Sequence, residues 1–362
     1  MSAPDALNRL IQRQMTAAGG WLAFDRFMAM ALYAPGSGYY SGPLRKLGLM
    51  PESGSDFVTA PELSPWFGRA LAKAVGEALA RTSTTEVWEF GAGSGALALH
   101  LMGVLGESVS TYHIVDLSGS LRLRQQDTLH AYTGRIVWHD ELPEQFSGVV
   151  VGNELLDAMP IQLLVRRSGL WHERGVIATE NAQHPWAWSD RRTTLCPPVE
   201  VEGDHDYLTE IHPQAEAFVR TLAQRLKAGA VFLIDYGFPE REYYHPQRHM
   251  GTLMCHQGHL SDPDPLVSVG DKDITAHVNF TGIAWAAQEA GMAVLGYTSQ
   301  ARFLINCGLV DLLQNASLQE RAMAQKLLTE HEMGELFKVI ALGRSLDASL
   351  AGFASGDRTH TL

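Results

Sequence analysis

Four acidic positions in this chain stand where their spacing can do chemistry. In VWEFGAGSGA, residues 87–96, Glu89 lies two residues before Gly91, and Gly91, Gly93 and Gly95 alternate behind it. Asp116 ends the apolar run YHIVD, and in VGNELLDAMP, residues 151–160, Asn153 and Glu154 are followed by Asp157. Glycines so spaced let a backbone come close to a bound molecule. A carboxylate at the tip of the strand feeding them accepts hydrogen bonds from a cation.

Gly91-x-Gly93-x-x-Ala96 also satisfies the dinucleotide pattern G-x-G-x-x-G/A, with Asp116 at the end of the next strand. A dinucleotide would bring its pyrophosphate to the helix N-terminus, where Glu89 would repel it. S-adenosylmethionine (SAM) makes the opposite demand, because it has an α-ammonium and a sulfonium and no phosphate. Glu89 then accepts from the ammonium, the glycines admit the methionine and ribose, and Asp116 takes the ribose hydroxyls. The bland alternative is a tight strand-to-helix turn with a solvated acid.

Ligands of open α/β sheets bind beyond the carboxyl ends of the strands, so Asn153, Glu154 and Asp157 are expected in the same crevice as Glu89 and Asp116. Methyl transfer to nitrogen is an in-line displacement, and a guanidinium acceptor needs paired carboxylates to hold it. The acidic pair suits arginine better than a nucleobase or a phenol. Alternatively, Asp157 only caps a short helix ending at Pro160. His277 in DITAHVNF reads either as a proton acceptor near neutral pH or as the cap of a helix starting near Asn279. Tyr39 and Tyr40, in a Gly-rich loop, are candidates to wall the site. His249, Cys255, His256, His259, Asp262 and Asp264 supply metal-ligand types without a zinc spacing, so that stretch reads as a substrate-covering loop and no metal is expected.

These residues need strands and helices to position them. Amphipathic spacing predicts helices over 5–17, 24–32 and 64–81, the last with Phe67, Leu71, Ala74, Val75 and Ala78 on one face. From residue 86 short β-branched runs alternate with helices, the pattern of a parallel sheet with crossovers. Strands are expected at 86–90, 111–115, 135–139, 148–152, 230–235, 293–299 and 337–342, seven in all. Hairpin-like runs over about 161–205 form a β-rich insertion, a helix over 214–226 returns to the sheet, and 238–279 is a long loop.

Composition bounds the partners. The 362 residues are 46% hydrophobic and 19% charged, as in globular proteins, and 28 Lys+Arg against 40 Asp+Glu leave a net charge of −12. Such acidity disfavours a phosphate backbone as partner, and no Pro-Pro-Tyr-type tetrapeptide is present to stack a flipped base. Cys196, Cys255 and Cys307 are far apart and form no CxxC pair, which argues for a reducing compartment. No apolar run is long enough to span a bilayer and no leader is evident, so a cytoplasmic location is expected.

The ordered motifs SDFVTAPELSPWFG, EFGAGSGALA, YHIVDLSGSLRLRQ, VGNELLDAMP, IDYG, GTLMCHQGH, DITAHVNF and EMGELFKVIALGR, over about residues 20–343, resemble the family of SAM-dependent methyltransferases that includes the mitochondrial complex I assembly arginine methyltransferase and its bacterial relatives. The resemblance implies an α/β chain with a seven-stranded class I, Rossmann-like core, SAM as cofactor, and an arginine of a partner protein as acceptor. Its mitochondrial member symmetrically dimethylates an arginine of a complex I subunit. By position, Glu89, Gly91, Gly93, Gly95 and Asp116 bind the cofactor, joined by Asn153, with Thr59 and Glu62 near the methionine end. Glu154 and Asp157 face the acceptor. The chain departs from the family pattern at Ser55, Asp116 and His256, the last of which bears on the identity of the substrate.

The organisation so implied is a helical region over 1–82 covering the cofactor, a core over 83–345 with the insertion, the substrate loop and a helical insertion at about 300–334, and a flexible tail over 346–362. Two other functions fit the same residues: a SAM-binding assembly factor without turnover, and a small-molecule methyltransferase. Oligomeric state is not legible.

Overall fold

A computed structural model describes residues 3–42, 58–116 and 119–362; Ser55 lies outside the described residues. Each strand of the main sheet alternates its side chains between two faces, and both faces are apolar, which forces a three-layer arrangement. In Phe146–Asn153, Val149 and Val151 pack on one face and Val150 on the other. The helices Pro65–Thr82 and Ala96–Leu105 cover the first face with Phe67, Leu71, Val75, Leu97 and Leu101. Pro213–Arg225 and Phe280–Glu289 cover the second with Val219, Leu222, Ile283 and Ala287.

The main-sheet strands, in chain order, are β1 (Glu86–Phe90), β2 (Thr111–Val115), β3 (Ile136–His139), β4 (Phe146–Asn153), β5 (Leu226–Phe238), β6 (Ala293–Ser299) and β7 (Phe337–Arg344). Their order across the sheet is β3-β2-β1-β4-β5-β7-β6, and the short strand Val278–Asn279 pairs with the end of β5 as an eighth. Pairings from β3 through to β5 are parallel, whereas β7 runs antiparallel to both β5 and β6. The sheet is therefore mixed. Its order reverses between β1 and β4, which opens a crevice at their carboxyl ends.

The insertion is an antiparallel sheet of Gln162–Arg167, Leu170–Ala178, Trp186–Arg192 and Tyr207–Ile211, so it runs six residues past the expected boundary. Leu22–Ala23 from the N-terminal region completes it. The N-terminal region consequently divides. Helices Ala3–Ala17 and Phe24–Tyr33 turn Leu7, Ile11, Phe24 and Phe27 onto Leu163, Val176 and Trp186 of the insertion, while Pro65–Thr82 belongs to the core.

Two further expectations are corrected. The stretch 238–279 is no bare loop, because it contains the helix Glu240–Tyr243 and a small antiparallel sheet of Met254–Gln257, Leu260–Asp262 and Asp273–Thr275. The expected flexible tail is packed: Phe353 is 3% exposed and lies against Phe303, with ring centroids 5.3 Å apart. Glu77 also accepts the backbone N–H of Ala351 at 2.8 Å. No described helix is long and apolar enough to cross a membrane.

Candidate active site

The carboxyl ends of β1, β2, β4 and β5 open onto a cavity of about 810 Å³. It is lined by Thr59, Glu62, Glu89, Gly91, Gly93, Asp116, Asn153, Glu154, Asp157 and His277, so all but one of the residues predicted to bind the cofactor or act in catalysis meet there. Gly95 is the exception. With φ of 84° it turns the chain into the Ala96–Leu105 helix and packs against Gln125 and Leu129, away from the cavity.

On the β1 side, Gly91 and Gly93 hold φ of 66° and 54°, where a side chain would be strained. Glu89 is 2% exposed, and the Tyr112 hydroxyl donates to its Oε2 at 2.7 Å. Burial raises the Glu89 carboxyl to about 7; the Tyr112 hydrogen bond opposes that rise and the charge of Asp116 adds to it. Near neutral pH such a group is only partly ionised, and a cation that joins it completes the ionisation. Asp116 is fixed by Gln125, which the sequence alone did not single out. The Gln125 amide donates to Asp116 Oδ2 at 2.9 Å and to the Gly93 carbonyl at 3.1 Å, and it accepts from the Trp138 indole at 3.1 Å. Glu62 stands 3.5 Å from the Arg124 guanidinium.

On the β4 side the backbone makes a tight turn rather than a capped helix, and Glu154 sits in it with φ of 50°. Glu154 Oε1 accepts from the Asn153 amide at 3.1 Å and from the Ala60 N–H at 3.4 Å. Burial, with the charge of Asp157 adding, raises Glu154 to about 8. The Tyr236 hydroxyl donates to Asp157 Oδ2 at 2.5 Å, while Asp157 Oδ1 and Asn153 Oδ1 are buried without a hydrogen-bond partner. Burial raises Asp157 to about 6 against the lowering effect of Tyr236.

Several residues of this half are given no individual role by the sequence. Asp235 accepts the N–H groups of Leu155, Leu156 and Asp157 and so holds the turn. Tyr33 and Tyr40 stack with centroids 5.6 Å apart, and the Tyr40 hydroxyl donates to Asp273 at 2.9 Å. Of the tyrosine pair expected to wall the cavity, only Tyr40 lines it; Tyr39 is fully buried in the N-terminal core. His277 lines the cavity, and of the two expectations for it the helix cap is corrected. Burial, then the charges of Arg248 and Lys338, lower it to about 4, so near neutrality it is an uncharged, weak proton acceptor. The helix cap is Asn279, whose side chain accepts from the Gly282 N–H. His256 also lines the cavity, and Lys272 pairs with Asp262 at 2.7 Å.

The cavity is acidic throughout. Glu62, Glu89, Asp116, Glu154, Asp157 and Asp273 line it, and no Lys or Arg is among the described lining residues. Orphaned acceptors and the buried, raised carboxyls of Glu89, Glu154 and Asp157 suit a ligand that brings N–H donors and positive charge, and SAM is such a ligand. Residues 68–298 match the family described as "Putative S-adenosyl-L-methionine-dependent methyltransferase". The chain belongs to that family. A candidate methyl transferase from Burkholderia thailandensis, solved with S-adenosyl-homocysteine bound, is 48% identical with a TM-score of 0.95, covering 99% of this chain and 97% of its own. A native structure from the same organism is 47% identical with a TM-score of 0.91 over the same shares. The chain is also similar to the mitochondrial protein arginine methyltransferase NDUFAF7 of Danio rerio, 27% identical over 93% of this chain and 87% of that protein. The human NDUFAF7 is 26% identical over 89% and 80%. The protein is thus a SAM-dependent methyltransferase, and SAM is its cofactor.

Proposed function

We propose that this methyltransferase modifies a guanidinium nitrogen of an arginine in a partner protein, on a seven-stranded class I core. The observation that carries this is the buried acid pair Glu154 and Asp157, with Asp157 Oδ1 and Asn153 Oδ1 unpartnered in a cavity whose described lining holds no Lys or Arg. A guanidinium has five N–H donors, no acceptor and a fixed charge, which matches those vacant acceptors. The relatives named as protein arginine methyltransferases support the same acceptor. The strand order, with β7 antiparallel, supports the class I assignment. The core then takes in the helix Pro65–Thr82 besides 83–345, and the client is a subunit of an assembling complex, with respiratory complex I the one the sequence resemblance implies.

Glu89, Gly91, Gly93 and Asp116 would hold the cofactor, whose sulfonium supplies the methyl carbon as electrophile. Glu154 and Asp157 grip the acceptor and align one nitrogen, which removes most of the orientational cost of an in-line displacement. Both acids are ionised once the cation is seated, because an opposite charge favours the charged form. As the nitrogen is alkylated it sheds a proton, and Glu154, raised to about 8 before binding, is the stronger base of the pair.

The test is mass spectrometry of proteins that co-purify with wild type, Glu154→Gln and Asp157→Asn. The expected result is dimethylated arginine on a partner with wild type, its loss with both variants, and unchanged affinity for S-adenosyl-homocysteine. Methylation found on lysine or on a small molecule would refute the acceptor, and assembly that depends on the pocket without any methylated partner would favour the non-catalytic role.

A further inference from the structure

Asp235 and Tyr236 are consecutive at the carboxyl end of β5, and both act on the turn that carries the acceptor acids. Asp235 Oδ2 fixes its backbone through the N–H groups of Leu155 at 3.1 Å, Leu156 at 2.8 Å and Asp157 at 3.3 Å. Tyr236 fixes its side chain, through the hydroxyl that donates to Asp157 Oδ2 at 2.5 Å. The Tyr236 ring has little freedom to leave. It stands edge-on to His277, with centroids 5.1 Å apart, and to Phe337 at 5.3 Å, and its backbone is paired with Phe337 across β5 and β7.

The geometry points to Tyr236 as the positioning residue of the acceptor subsite: its hydroxyl claims Oδ2 of Asp157 and leaves Oδ1 as the single oxygen offered to the substrate. Asp157 is 5% exposed and lines the cavity, and Oδ1 is buried with no partner. The role in substrate binding rests on the arginine reading above, whereas the hold on Asp157 does not. The groups around Asp157 explain why a donor is needed. Glu154 from the same turn, Asp235 from β5 and Asp273 from the small sheet are acids, and Tyr33 from the N-terminal helix and His277 carry no positive charge near neutrality. Burial pushes Asp157 toward its protonated form, and the Tyr236 hydroxyl opposes it first, with the backbone N–H groups of Ala158 and Asp157 helping; the charge of Asp157 in turn raises Asp235 and Glu154. A protonated Asp157 would meet the guanidinium with a donor where that ligand has only donors.

Tyr236→Phe keeps the packed ring and removes only the hydroxyl. In protein labelled with 13C at the aspartate carboxyls, the Asp157 resonance is identified by its absence from Asp157→Asn. Its titration midpoint is expected to rise by about one pH unit or more in Tyr236→Phe, a fall of about tenfold in the ionisation constant. An unchanged midpoint overturns the proposal whatever the acceptor is. With an arginine peptide as substrate, Tyr236→Phe is expected to raise KM at pH 7 and move the acid limb of kcat/KM to higher pH, while affinity for S-adenosyl-homocysteine stays at the wild-type value. Superimposable pH profiles also overturn it. If the wild type methylates no arginine peptide, the acceptor reading fails and the carboxyl titration still decides whether Tyr236 governs Asp157.

Discussion

Glu89 should make the free protein less stable at neutral pH than it need be, and Glu89→Gln measures by how much. Its carboxyl is raised from the ordinary glutamate value of 4.5 to about 7, with burial as the main cause. Below pH 4.5 the side chain is protonated in both folded and unfolded chains and costs nothing. Between 4.5 and 7 the unfolded chain ionises while the folded one stays protonated, so stability falls as pH rises, and above 7 the loss is complete. The gap from 4.5 to about 7, at about 1.4 kcal/mol per pH unit, amounts to about 3 kcal/mol. Glutamine keeps the shape and an acceptor for the Tyr112 hydroxyl but has no charge to bury. Urea denaturation of both proteins at several pH values should show Glu89→Gln more stable by about 3 kcal/mol at pH 8, with the difference shrinking to nothing near pH 4.5. The same substitution should abolish S-adenosyl-homocysteine binding at pH 8, since the ligand's ammonium loses its anion. A stability difference that does not change with pH, or a variant less stable at every pH, would refute the assignment of Glu89 as a buried acid waiting for a cation.

Gln125→Leu removes at once the hydrogen bonds to Asp116 Oδ2, the Gly93 carbonyl and the Trp138 indole N–H. A hydrogen bond to a charged group contributes about 1.5–3 kcal/mol, so calorimetry should show affinity for S-adenosyl-homocysteine reduced by about tenfold or more. An unchanged affinity would remove Gln125 from the cofactor site. Phe353→Ala should cost about 3–5 kcal/mol of stability in urea denaturation, as for other buried phenylalanines, because the ring fills the space between Phe303 and Gly296. A neutral outcome would mean that the C-terminal stretch frays after all.

The cofactor half of the site is legible because its signals are local. Glu89 and the glycines after it lie in one strand-turn-helix unit, and Asp116 ends the neighbouring strand, so period and turn chemistry suffice to bring them together. Gly95 shows the limit of such a motif: the same glycine spacing serves close approach at Gly91 and Gly93 and only helix geometry at Gly95. The acceptor half is less legible because its parts come from distant segments. Nothing near residue 154 announces that Asp235 will hold the turn, or that Tyr33 and Asp273 will join Tyr40 in the wall. Tyr39 and Tyr40 are adjacent and chemically identical, yet one is core and the other lines the cavity, since only packing decides which way each ring turns. The C-terminal stretch reads as polar because its apolar anchors, Leu350 and Phe353, are few and have no periodic companions.

By itself the sequence determined the elements of the main sheet and the sign of the charge the site must receive, because hydrophobic period and the placement of acids act over a few residues. Only the tertiary structure decided the order of the strands, the partners that fix each carboxylate and the depth at which it is buried. Those follow from long-range packing, and burial is what moves Glu89, Glu154 and Asp157 from solvated acids to groups that ionise fully when a cation arrives.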